Sequence, residues 1–203
     1  MKISKIEPQK KNKNRSSIFV DGKFAFGLSN EVLVKFDLHE GDDLDDETVQ
    51  NVLLESEKQM IRNRAFRLLR YRSRSTQELK TRLLRIGFDD ELVAGVIEEL
   101  MQNNSLDDEK FARSFVADYT KLRPRGNVYI RRELTKRGIA GEVIEHLITN
   151  RDEKVVIEGL VQKKLSDLNI KKPKDRARAI RRLLTRGFTP SVVYEVIREH
   201  EKC

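Results

Sequence analysis

Apolar residues recur at helical spacing through most of the chain. Leu79, Leu83 and Ile86 open the clearest stretch, Gly87 and Phe88 follow, and Leu92, Val93, Val96 and Ile97 form a second apolar set. The same frame returns 51 residues on, from Gly87 to Gly138, as Ile130, Leu134, Gly138, Ile139, Val143, Ile144, Leu147 and Ile148. It returns 49 residues after that, from Gly138 to Gly187, as Ala179, Leu183, Gly187, Phe188, Val192, Val193, Val196 and Ile197. A fixed period of about fifty residues marks stacked supersecondary units, each too small to bury its apolar face alone. Ser75 with Glu78 three residues on predicts a capping box, and the equivalent positions, Gly126 and Asp175, are both acceptable N-caps. Pro124 and Pro173 break the chain ahead of the second and third copies, and Gly87, Gly138 and Gly187 suit the left-handed position that ends a helix. Each unit therefore reads as helix, short basic connection, helix, glycine turn, helix.

Ahead of the repeats the period changes. Ile18-Phe19-Val20 and Phe24-Ala25-Phe26 flank Asp21-Gly22, a strong signal for a type I′ hairpin. Ser29 is placed to cap a short helix carrying Val32, Leu33 and Phe36, on which the hairpin can pack. Residues 2–15 hold Lys2, Lys5, Lys10, Lys11, Lys13 and Arg15 against Glu7 alone, and read either as a basic arm for a phosphate backbone or as a solvated terminus. A long helix is predicted from about Thr48 to Tyr71, with Asp45 and Asp46 at its start. The expected architecture is all-α, tandem three-helix repeats with a small N-terminal β-hairpin module. Its segments are 1–58, then repeats at 59–103, 104–152 and 153–203.

Composition agrees with thin helical layers rather than one large core: 38% of residues are hydrophobic, 6% aromatic and 36% charged. No apolar run is long enough to span a bilayer and no signal-like h-region follows Met1, so a cytoplasmic protein without a membrane partner is expected. The one cysteine, Cys203, permits no internal disulfide. A net charge of +8 makes a polyanionic partner plausible, and the placement of the charge matters more than its sum.

From Arg62 to Arg74 the chain holds six arginines and no acid. Arg64, Arg67 and Arg70 step around the side opposite Ile61, Ala65, Leu68 and Leu69, and Arg74 follows. A solvated helix face is the ordinary reading, but such faces mix signs. Forked guanidinium groups suit phosphates and carboxylates. Basic residues stand just before each repeat's middle helix (Arg74, Arg125, Lys174), and on its polar face (Arg85, Arg132, Lys136, Arg181). The third helix of the first unit is acidic instead, with Asp89, Asp90, Glu91, Glu98 and Glu99. Aligned basic helices would make a stripe, the electrostatic footprint of a polymer. The ten candidate binding residues are thus Arg64, Arg67, Arg70, Arg74, Arg85, Arg125, Arg132, Lys136, Lys174 and Arg181.

Other chemistry is not supported. HEGDDLDDETV (39–49) lacks the ligand spacing and closing Glu of a calcium loop. Asp107, Asp108 and Glu109 read as a cap and first turn, and His39, His146 and His200 are scattered. Phosphate-cradling, dinucleotide and nucleophile-elbow motifs are missing, so neither a catalytic site nor a cofactor is expected.

AFRLLRYRSRSTQELKTRLLRIGF (65–88), SLDDEKFARSFV (105–116) and IRRELTKRGI (130–139) resemble signature segments of the RecX family, bacterial regulators of the RecA recombinase. The similarity is strongest over residues 60–150. It implies an elongated, curved, monomeric array that binds in the groove of a RecA–single-stranded DNA filament and mostly inhibits strand exchange and ATP hydrolysis. Single-stranded DNA is an implied partner, with double-stranded DNA as a second candidate. The hairpin module is a departure, since short members lack it. Two readings from other classes compete: a stand-alone DNA-binding protein of helix-turn-helix-like units, and a helical scaffold for an acidic protein.

Overall fold

The structure, a computed structural model, describes residues 1–165 and 168–202; Cys203 lies outside them. Three antiparallel strands come first, β1 (Ile3–Gln9), β2 (Asn12–Val20) and β3 (Lys23–Ser29), in the order β1-β2-β3. The helices are α1 (Asn30–Lys35), α2 (Asp46–Tyr71), α3 (Thr76–Leu84), α4 (Asp90–Gln102), α5 (Asp108–Lys121), α6 (Asn127–Thr135) and α7 (Gly141–Thr149). They continue as α8 (Glu153–Lys164), α9 (Pro173–Thr185) and α10 (Pro190–Lys202). The chain divides into two compact units, residues 1–72 with 79–103 and residues 73–78 with 104–203.

In the first unit the expected turn is present: Asp21 and Gly22 both have positive φ, 48° and 80°, as a type I′ hairpin requires. Residues 2–15, read as a basic arm or a solvated terminus, instead form β1, a turn and the start of β2, with β1 paired antiparallel to β2 and Ile6 opposite Ile18. The alternation of β1 is broken by a bulge between Ile3 and Lys5, and its one lysine, Lys5, is exposed on an edge strand. Ile3, Ile18 and Leu28 close on Val32 of α1 and Val52 of α2, which gives the sheet the second layer that an isolated hairpin lacks. Ser29 Oγ accepts from Val32 N–H at 3.3 Å and Asp45 Oδ1 from Thr48 N–H at 2.7 Å, capping α1 and α2 as expected. Beyond the sheet, Ile61 and Ala65 of α2 are buried, as are Leu79 and Leu83 of α3 and Val93, Val96, Ile97 and Leu100 of α4. Ile86 shares the helical spacing of Leu79 and Leu83 but lies past the end of α3, 40% exposed, so it does not extend that core.

In the second unit each three-helix set has its own core. Ala112, Val116, Ile130, Leu134, Ile139, Ile144 and Ile148 form one. Ile157, Leu160, Ala179, Leu183, Phe188, Val193 and Val196 anchor the next. The sets are joined by one repeated device, in which the start of a middle helix docks on the glycine turn of the following set. Ser75 Oγ donates to Arg137 O at 2.7 Å beside the Gly138 turn. Likewise Gly126 N–H donates to Arg186 O at 3.1 Å, and Val128 N–H to Gly187 O at 3.1 Å. An acid from the first turn of the next set's first helix completes each joint. Asp108 Oδ1 accepts from Thr76 N–H at 2.7 Å, and Glu153 Oε1 from Asn127 N–H at 2.6 Å. Backbones approach so closely at the second joint that a Cβ on Gly126 would stand 2.0 Å from Gly187 O. The third copy departs from expectation: α9 is capped at Lys172 with Pro173 as its first residue, so Asp175 lies inside the first turn rather than at the cap.

Candidate nucleic-acid interface

The arginine run on α2 serves two purposes. Arg62 is structural: Nη1 donates to Glu99 Oε2 of α4 at 2.8 Å, Nε to Gln59 Oε1 at 2.9 Å, and Nη2 to Glu55. Burial opposes the charge on Glu55, but hydrogen bonds from Lys35 and Arg62 outweigh it and hold the carboxyl below its ordinary range. Arg64 is half-buried, its Nε enclosed and without a hydrogen-bond partner. Arg67 and Arg70 are exposed and line one hollow of about 660 Å³ together with Arg15 of β2 and Phe66. Arg85, just past α3, is exposed as well.

On the second unit the cations gather on α6. The Arg125 guanidinium lies 4.9 Å from the Tyr129 ring centroid and that of Arg132 lies 5.5 Å from it. The positions follow from spacing, since Tyr129 is four residues after Arg125 and three before Arg132, so all three meet at the start of α6. Tyr119 of α5 backs the same ring at 5.3 Å, and its hydrogen bond pushes the Tyr129 hydroxyl pKa up. Glu133 sits among three cations: Arg132 and Lys136 each at 3.6 Å, and Arg137 at 2.8 Å. The Arg137 hydrogen bond keeps Glu133 ionised well down the pH scale despite burial. Lys174 and Arg181 are exposed on α9, and Arg74 is half-buried in the connection before α3.

The predicted residues therefore meet in pairs: Arg67 with Arg70, Arg125 with Arg132 on one ring, and Arg132 with Lys136 on one carboxylate. Among the described contacts, none joins Lys174, Arg181 or Arg85 to those pairs. Exposed guanidinium groups can bind phosphate, and an open ring such as Phe66 can stack a base, whereas Tyr129 and Arg125 are half-buried within their own cluster. Two further arginines in this region hold the fold. Arg151 Nε donates to Thr120 Oγ1 at 2.7 Å and Nη2 to Arg125 O at 2.6 Å, fixing the α5–α6 connection, and burial lowers its pKa. Arg137 reaches Glu78 at 3.4 Å as well as Glu133. The partners of Arg151, and Glu78 for Arg137, lie far off in sequence and no local pattern marks them, whereas Glu133 and Arg137 are an i,i+4 pair. The spacing of Tyr129 between two arginines was readable beforehand. Among the described residues no three His, Cys, Asp or Glu side chains converge as metal ligands, and no helix is long and apolar enough to cross a membrane.

Comparison with known proteins bears on the whole chain. Residues 1–45 match the model of the regulatory protein RecX N-terminal domain, residues 62–100 that of the first RecX three-helix domain, and residues 107–147 that of the second. The regulatory protein RecX of Bacillus subtilis (strain 168) is 34% identical over 198 residues, covering 94% of this chain and 74% of that protein. The regulatory protein RecX of Clostridium botulinum (strain Alaska E43 / Type E3) is 29% identical, with 98% and 95% covered. A crystal structure of a regulatory protein RecX superposes with a TM-score of 0.77 at 27% identity, over 98% of each chain.

Proposed function

The chain belongs to the RecX family of regulatory proteins, and on that premise we propose that it binds along RecA–single-stranded DNA filaments and restrains the recombinase. The observation that carries this reading is the α6 cluster, where Arg125, Arg132 and Lys136 gather around Tyr129 and Glu133. Such a surface suits a partner with regularly spaced negative charge and exposed bases. In this reading the three-helix sets, with working boundaries at 59–103, 104–152 and 153–203, each address successive elements of the filament. Arg64, Arg67, Arg70, Arg74, Arg85, Lys174 and Arg181 join the α6 cluster as contact residues. Occupying the groove would exclude incoming duplex, and bridging neighbouring recombinase protomers would oppose the closure that ATP turnover needs. No cofactor enters the scheme, and its setting is recombination and repair in the cytoplasm.

The test measures binding to RecA–single-stranded DNA filaments beside naked single- and double-stranded DNA, at two salt concentrations. Preference for the filament is expected. A variant carrying Arg125→Gln, Arg132→Gln and Lys136→Gln should lose on the order of tenfold in filament affinity at low salt, with a shallower salt dependence. Equal affinity for naked duplex would replace the proposal with a stand-alone DNA-binding protein.

A further inference from the structure

We infer that the hollow beside β2 and α2 is a single-stranded nucleic-acid site of its own, in which Arg67 and Arg70 hold phosphodiester oxygens and Phe66 stacks a base. The inference rests on the nucleic-acid half of the proposed function and not on its recombinase half. Three observations lead to it. First, the opening of about 660 Å³ falls within the range of ligand clefts, roughly 300–1,000 Å³. Second, its cations are available. Arg62, five residues before Arg67 on the same helix, is saturated by Glu55, Gln59 and Glu99, whereas no described carboxylate meets Arg67 or Arg70. Arg15 spends one nitrogen on Gly27 O at 2.7 Å, and the rest of its fork remains. Third, Phe66 lines the same opening with 47% of its surface exposed, which supplies a stacking face beside the phosphate-binding forks.

The chemistry favours nucleic acid over an acidic peptide. Carboxylates would use the arginines and leave the ring idle, whereas a nucleotide uses both. It favours a single strand, because a ring stacks only on a base that has left its own stack. Glu31 is the one acid on the lining, occupied by Gln59 and exposed. It would repel a phosphate entering the hollow.

The experiment uses the full chain and fluorescence anisotropy with labelled oligothymidylate across a salt series. Arg67→Gln with Arg70→Gln should weaken binding about tenfold or more and flatten the log–log salt slope by about 1.4, from two lost phosphate contacts. Phe66→Leu should weaken binding about fivefold or more with the slope unchanged, since stacking releases no counterions. Glu31→Gln should tighten binding, a gain that misfolding does not produce. Unchanged affinity and slope in the double-arginine variant, with a wild-type melting curve, would overturn the site. Competition by oligoglutamate as strong as by unlabelled oligothymidylate would overturn the nucleic-acid assignment. The two claims fail separately: oligothymidylate binding by the Arg67, Arg70 and Phe66 variants tests this site, while the filament reading is tested by the α6 variant.

Discussion

The basic runs on α2 and α6 look alike as sequence and behave differently as surfaces. On α2 one arginine, Arg62, takes two carboxylates, and its neighbours Arg67 and Arg70 are left to solvent. At α6, Arg131 has Glu145 to itself at 2.7 Å, but Glu133 is shared among Arg132, Lys136 and Arg137, so its charge is divided rather than dedicated. Counting cations therefore overstates what each helix offers a ligand. The first run separates architecture from recognition residue by residue, and the second blends them in one cluster.

The largest effect should come from the dedicated pair. Arg62→Ala frees Glu99 and leaves Glu55, whose side chain is 13% exposed, to Lys35 alone, and should cost about 2 kcal/mol in urea denaturation. Arg67→Ala, one and a half turns along, should stay within about 0.5 kcal/mol, and a comparable loss there would erase the distinction. Next is the shared acid. Glu133→Gln should cost about 1 kcal/mol while raising affinity for single-stranded DNA a few-fold at low salt, because Arg132 and Lys136 lose their counter-charge. A drop in affinity would mean that Glu133 positions those side chains rather than muting them. Tyr129→Leu removes the ring beneath Arg125 and Arg132 and should cost about 1 kcal/mol, read by the same denaturation curve. The smallest and most diffuse effect is acid sensitivity. Glu55 and Glu133 are held below the ordinary carboxylate value of 4.5, so their contribution is complete above that pH. It fades as pH falls through their lower folded values. Thermal melts from pH 6 down to pH 3 should show the loss in wild type and a shallower decline in Glu133→Gln.

Much of the helical plan was readable, for a plain reason: Leu79 and Leu83, Ile130 and Leu134, Ala179 and Leu183 repeat one spacing, and each is followed by a glycine that the backbone needs at positive φ. β1 was hidden because its apolar residues Ile3 and Ile6 stand three apart rather than two, and the bulge after Ile3 disrupts its alternation. The start of α9 was misplaced because Asp175 has the chemistry of a cap, while Pro173, suited to a first helical position, sits two residues earlier. Among the binding candidates, exposure of Arg67, Arg70, Arg85, Arg132 and Lys136 followed from the helical wheel. What spacing could not supply was pairing. Glu99 reaches Arg62 across 37 positions, and Asn127 reaches Arg151 across 24. Only tertiary packing decides which arginines such partners consume.

The early start of α9 also bears on how long such an array can grow. At the two joints, the amides of Thr76 and Asn127 are free to reach an acid of the following set. Their counterpart, Arg176, has its amide already bonded to Lys172 O at 3.0 Å within its own helix. That amide is therefore spent inside the helix, so a fourth module grafted at this point should seat less tightly than the first two joints allow, and deleting the turn that begins at Pro173 should restore the fit.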